Sequence, residues 1–145
     1  MRKLLVRTKA GTNEGFRLTK DTITEDVTEV KNRLLVKFEN GKGIYTSDIV
    51  YRREFEGIDV YQTKSGTDYI LFNPEKKSRV RILSSNGKDI PRNKDVNLFI
   101  SSNYEVTIKT WKDCWEIGKI ESTAYSNGVI RVSCEHGSIS FAQVI

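Results

Sequence analysis

The sequence predicts an all-β protein, on three observations. Val, Ile, Thr, Tyr and Phe are plentiful while Ala is scarce, a mixture that suits pleated strands better than helices. Short runs alternate apolar and polar residues, as in Arg33-Leu34-Leu35-Val36-Lys37-Phe38-Glu39 and Arg79-Val80-Arg81-Ile82-Leu83. Glycine turns recur, and Gly41, Gly87 and Gly137 stand 46 and 50 positions apart in a chain of 145 residues.

The elements follow in order. Leu4, Leu5 and Val6 between charged residues predict a first strand, closed by a turn at Ala10-Gly11-Thr12-Asn13. Gly15 to Thr19 is the next strand. Asp21 to Glu29 is the one helix candidate of this third, but its threonines argue for strand or loop. Arg33 to Glu39 runs into Asn40-Gly41, a hairpin signal, because the tight turn between two strands needs positive φ. Ile44-Tyr45 starts the return strand, and Ser47-Asp48-Ile49 reads as one helical turn with Ile49 facing inward.

The same order then repeats. Ile58 to Gln62 and Asp68 to Phe72 are strands around Lys64-Ser65-Gly66-Thr67, and Arg79 to Leu83 leads to Asn86-Gly87. Pro91 makes the following return strand an edge or an irregular one. Tyr104 to Thr110, Trp115 to Ile120, Val129 to Cys134 and Ile139 to Ile145 complete the chain, with turns at Asn127-Gly128 and His136-Gly137. Three units are expected, over 1–53, 54–97 and 98–145. They are read as two or three tandem small barrels, with a single β-trefoil as the alternative.

Composition narrows the function. The net charge is +5 with a pI near 9.2, which permits a polyanionic partner. Residues 1–50 and 51–97 each carry ten Lys/Arg against seven Asp/Glu, whereas 98–145 carry four against five. A polyanion-binding face is therefore expected on the first two thirds. Cys114 and Cys134 have neither disulfide-framework nor zinc spacing, although they could face each other if their strands pair. The opening Met1 to Arg7 is too short in apolar residues for an export signal, and no run is long enough for a membrane span. A soluble, cytoplasmic protein without a membrane partner is the expectation.

Catalytic motifs are sparse. His136 is the only histidine and sits in a turn. The acids Glu25, Asp26 and Glu29 lack a second cluster to work against. The Gly-Lys pairs near Asn40 and Asn86 lack phosphate-loop spacing, so no cofactor is expected and the chain reads as a non-enzyme.

Binding signals are better. Lys76, Lys77, Arg79 and Arg81 form the densest basic stretch, with the two arginines on one strand face. Arg52, Arg53, Arg92 and Lys94 close the first two units, and Arg2, Lys3, Arg7 and Lys9 add a basic first strand. Such cations can track the phosphates of DNA or RNA without reading sequence. Trp111 and Trp115 flank Lys112-Asp113-Cys114 and cannot both lie buried on one strand face, so one is a candidate stacking platform or partner anchor.

The stretch Trp115 to Ile145, with Gly118-Lys119-Ile120, Val129 to Cys134, His136-Gly137 and Phe141 to Val144, resembles small barrels of the Tudor/KOW type. The eleven residues Asn40 to Val50 are similar to a stretch in bacteriophage proteins of the YopX type. Together these resemblances imply a phage-encoded DNA-binding protein that modulates host transcription or the chromosome. The alternative is a protein–protein module that inhibits a host enzyme or defence complex through the Trp-rich unit.

Overall fold

In a computed structural model the structure describes residues 1–12, 15–54, 56–87 and 89–144. Asn13 of the first turn, Lys88 of the Gly-Lys pair near Asn86 and Ile145 of the closing strand lie outside the described residues. The chain is all-β, and no helix occurs among the described residues.

The last strands build a closed barrel. They are β9 (Ser78–Asn86), β10 (Lys94–Ile100), β11 (Glu105–Lys109), β12 (Cys114–Ser126), β13 (Val129–Cys134) and β14 (Gly137–Gln143). Each pairs antiparallel with the next, and β14 returns to β9, so six consecutive strands close the ring without an open edge. A trefoil would draw its barrel strands from all three repeats, so the order here is a plain meander instead. Alternation fills the interior with Val80, Ile82, Leu98, Ile108, Ile117, Val132 and Phe141, all essentially inaccessible.

The preceding chain forms two further sheets. One is ordered β1 (Lys3–Lys9), β8 (Thr67–Phe72), β7 (Ile58–Thr63), β6 (Ile49–Glu54). The other is β3 (Thr24–Val30), β4 (Arg33–Phe38), β5 (Gly43–Tyr45), while the short β2 (Phe16–Arg17) adds to the edge of β12. In the β1–β8–β7–β6 sheet the first three strands are buried on both faces, while the edge strand β6 is exposed beyond Ile49. Val6, Val60, Ile70 and Phe72 share a core with the barrel, whereas Leu4, Tyr61, Tyr69 and Leu71 pack with Val27, Leu34 and Val36 of the small sheet. That is why Tyr69-Ile70-Leu71-Phe72 is apolar throughout rather than alternating.

Several expectations change. Asp21 to Glu29 is not a helix; its second half is β3, as the threonines argued. Ile49 is a buried inward plug, yet it opens β6 rather than ending a helical turn. Asn40-Gly41 does turn β4 into β5, but through a three-residue loop with only Gly41 at positive φ (88°). The two-residue turns with positive φ at both positions are Lys31-Asn32 and Asn127-Gly128. The spaced glycines are not equivalent in space. Gly87 and Gly137 meet each other where β9 crosses β14, and a Cβ on Gly137 would lie 2.7 Å from the Asn86 carbonyl oxygen. The expected boundaries at 53/54 and 97/98 fall inside β6 and β10.

β1 bolts the layers together. A bulge between Leu4 and Val6 frees backbone groups from the ladder, and side chains from the neighbouring elements satisfy them. Thr123 Oγ1 of β12 donates to the Leu5 carbonyl at 2.7 Å, Tyr104 Oη donates to the Leu4 carbonyl at 3.0 Å, and Leu4 N donates to Thr24 Oγ1 at 2.8 Å. The other joint is Gly57, at φ +84°, whose added Cβ would lie 2.4 Å from Ser78 Oγ and 2.8 Å from the Lys77 carbonyl oxygen. Gly57→Ala is expected to cost about 2–4 kcal/mol in thermal or urea unfolding, from overpacking and left-handed strain together.

The two cysteines do not pair. Cys114 lies opposite Lys109 and Cys134 opposite Ile120, six residues further along β12 and so roughly 20 Å apart at strand rise. Cys114 is exposed, whereas burial first and then Glu121 and Glu135 push the Cys134 thiol up to about 12. Native protein should therefore take up one equivalent of a thiol reagent quickly and a second only on unfolding, as counted by mass spectrometry.

Candidate nucleic-acid interface

The barrel wall carries charge in an ordered way. Val80 and Ile82 point inward, so Arg79 and Arg81 stand on the outer face of β9, both exposed. Across the ladder Arg81 lies opposite Asp95 and Arg79 opposite Asn97 of β10. Arg81 Nε donates to Asp95 Oδ1 at 2.8 Å, and Arg79 approaches the other carboxylate oxygen at 3.8 Å. The Arg81 hydrogen bond holds the Asp95 carboxyl below its ordinary value. One acid thus spaces two guanidiniums and leaves the pair with net positive charge.

One strand further on, Asn97 lies opposite Lys109 of β11, whose ammonium sits 5.1 Å from the centre of the Phe99 ring. The β11–β12 turn follows immediately. Asp113 N donates to Thr110 Oγ1 and Thr110 N to the Asp113 carbonyl, which fixes the turn and leaves Trp111 at its tip, 91% exposed, beside Lys112. Trp115 points the other way and packs against the core. Of the two tryptophans, one is therefore presented to solvent and the other is structural.

Along the same β11–β12 wall the charge turns acidic away from Lys109, and Glu116 lies opposite Thr107, two residues from Lys109. Glu105, Glu116 and Glu135 line a shallow cavity of about 380 Å³ with Thr107, Gly118 and the exposed His136. Among the described residues no group of three His, Cys, Asp or Glu side chains is placed to hold a metal ion. The cations of β9, of the Lys109 end of β11 and of the β11–β12 tip thus adjoin an acidic stretch that begins at the Glu105 end of β11 and runs along β12.

The other basic residues are dispersed. Lys76 and Lys77 are exposed in the turn before β9, next to the Arg79 end of the row. Arg92 donates to the Ser85 carbonyl at 2.9 Å and so braces the loop before β10, which Lys94 opens. Arg52 and Arg53 lie on opposite faces of β6. Arg52 is held by Glu29 at 2.9 Å over the Tyr61 ring, while Arg53 faces the barrel side with Tyr51. The first strand does not present a basic face. Arg2 is tied to Asp59 and Tyr61, Lys3 is buried with Nζ donating to the Thr24 carbonyl at 3.2 Å, and Arg7 lies over Tyr69.

Lys109 and Lys112 stand apart from the basic stretch in the sequence, in a last third that is acidic overall. The alternation of Val106 and Ile108 with Lys109 puts Lys109 on the solvent face; only the β9–β10 and β10–β11 registers put it in line with Arg79, two strands away across Asn97. No family model, curated protein or solved structure matches this chain.

Proposed function

We propose that the protein binds nucleic acid, as a non-enzyme, through the outer barrel wall that runs from Arg81 and Arg79 to Lys109 and the Trp111-Lys112 tip. The observation that carries this reading is the row of cations, Arg81, Arg79 and Lys109, that the barrel registers bring onto one surface beside an exposed tryptophan. Lysine and arginine neutralise phosphates, and an exposed indole offers a face on which a base can stack regardless of its identity. Such contacts favour DNA or RNA without sequence preference.

The Tudor/KOW resemblance, which covers β12 to β14 of the barrel, agrees with a small-barrel nucleic-acid module. The YopX-type stretch, which spans the β4–β5 turn and the start of β6, agrees with a phage protein acting in the host cytoplasm on transcription or the chromosome. A host protein docking on Trp111 is the second reading, favoured by that side chain's exposure alone. Fluorescence anisotropy with a labelled mixed-sequence 20-mer separates the two. Binding at low salt that weakens steeply as salt rises supports the first, and no binding at low salt rejects it.

A further inference from the structure

The first sheet and the barrel do not meet flush. Between β6 and the β12–β13 hairpin lies a cleft of about 270 Å³ lined by Tyr51, Arg53, Val60, Tyr125, Asn127 and Gln143. A second hollow of about 270 Å³ shares Tyr51, Val60, Tyr125 and Asn127 and adds Gln62 and Asp68, so the two form one slot. Register explains the lining. Tyr51 lies opposite Gln62 and Arg53 opposite Val60, on the face of the sheet that looks toward the barrel. Tyr125 comes from the last turn of β12, two residues before the Asn127-Gly128 turn.

The chemistry of the slot is that of a base site. Tyr51 is 51% exposed on an edge strand and Tyr125 is half-buried, so each offers a ring to the opening. The amides of Gln62, Asn127 and Gln143 are neutral donors and acceptors, suited to the edge of a heterocycle. Gln143 Nε2 is buried without a hydrogen-bond partner, a donor whose desolvation is unrepaid until an acceptor arrives. Burial raises the Tyr125 phenol and the Asp68 carboxyl, consistent with a drying slot, and Arg53 acts on Tyr125 in the opposite sense.

The slot also connects to the basic wall. Ala142, which lines it, lies directly opposite Arg81 on β9, one strand spacing away. From there Arg79 is two residues along the same strand, and Lys109 is two strands beyond Arg79. Arg53 at the slot and Arg81 on the wall thus flank Ala142, as phosphates flank a base on an extended strand.

We propose that this slot receives one unstacked base of a single-stranded nucleic acid whose backbone then follows Arg81, Arg79 and Lys109. The inference rests on the nucleic-acid reading and sharpens it: a duplex keeps its bases stacked and cannot fill the slot, whereas a single strand can.

The test is anisotropy at low salt with a mixed-sequence 20-mer as single-stranded DNA, single-stranded RNA and duplex DNA, for wild type, Tyr51→Ala, Tyr125→Ala and Tyr125→Phe. Wild type should bind the single strands more tightly than the duplex. Tyr51→Ala and Tyr125→Ala should each weaken single-strand binding about 10-fold and leave duplex binding unchanged, while Tyr125→Phe retains it. Tyr51 is an edge-strand side chain, so its variant stays folded even if the half-buried Tyr125→Ala does not, as a melting curve will show. Equal affinity for single strand and duplex, or indifference to Tyr51→Ala, overturns the slot while leaving the wall in place. Binding to none of the three probes overturns both.

Discussion

Replacing Tyr104 by Ala is expected to cost about 3–5 kcal/mol of folding free energy, among the largest effects of any single change in the chain. The residue sits between β10 and β11 at φ 63°, where the turn is tightened by Ser101, whose Oγ accepts from the backbone of Asn103 and Glu105. Its ring is 2% exposed and meets Phe72 edge-on at 5.2 Å. Its hydroxyl donates to the Leu4 carbonyl and accepts from Thr24 N at 3.3 Å and from Thr24 Oγ1 at 3.1 Å. One side chain thus ties the barrel to β1 and to β3. Tyr104→Phe keeps the ring but strands these buried groups, so about 1–3 kcal/mol is expected to be lost in urea unfolding.

The same phenol gives a pH signature. Burial raises it above its ordinary value of about 10, against the hydrogen bonds from Thr24. Its folded pKa is raised, so the stability it contributes is complete below the unfolded value and is lost as pH rises through the folded one. Wild type should therefore lose stability on the alkaline side above about pH 10, and Tyr104→Phe should lose less there.

The second large effect concerns charge. Changing Arg79, Arg81, Lys109 and Lys112 together to Ala is expected to flatten the plot of log affinity against log salt by about 3, since each lost phosphate contact removes about 0.7–0.9 from the slope. Asp95 would then stand on the wall without its arginines and repel the phosphates further. Arg52→Ala, whose guanidinium is held by Glu29 on the other side of β6, should leave the slope near its wild-type value. Equal flattening by both variants would locate the polyanion elsewhere.

Much of the fold was legible locally. The strands at Arg33 to Phe38, Ile58 to Gln62 and Val129 to Cys134 follow from alternation, and Arg79 and Arg81 are placed outward by the same rule. What sequence could not supply was pairing across distance. The spacing of Gly41, Gly87 and Gly137 suggests three equal units, yet two of those glycines mark a single crossing of β9 and β14. Asp95, Lys109 and Ala142 gain their meaning only from the registers β9–β10, β10–β11 and β14–β9. Arg53 reads in sequence as a cation closing the first unit, and only the facing β12–β13 hairpin makes it and Tyr51 walls of a slot. The basic N-terminus misleads for the opposite reason: Lys3 and Arg2 bury their charge among Thr24, Asp59 and Tyr61.

The central claim is that nucleic acid lies on the basic wall of the barrel. Amide and Trp111 indole NMR shifts, followed as a single-stranded 20-mer is added at low salt, test it most directly. The expected result is that changes concentrate on Arg79, Arg81, Asn97, Lys109 and Trp111 and fade along β11 and β12 toward Glu105 and Glu135. Shifts centred on Glu105, Glu116 and Glu135, or a spectrum that the oligonucleotide does not alter, would contradict it.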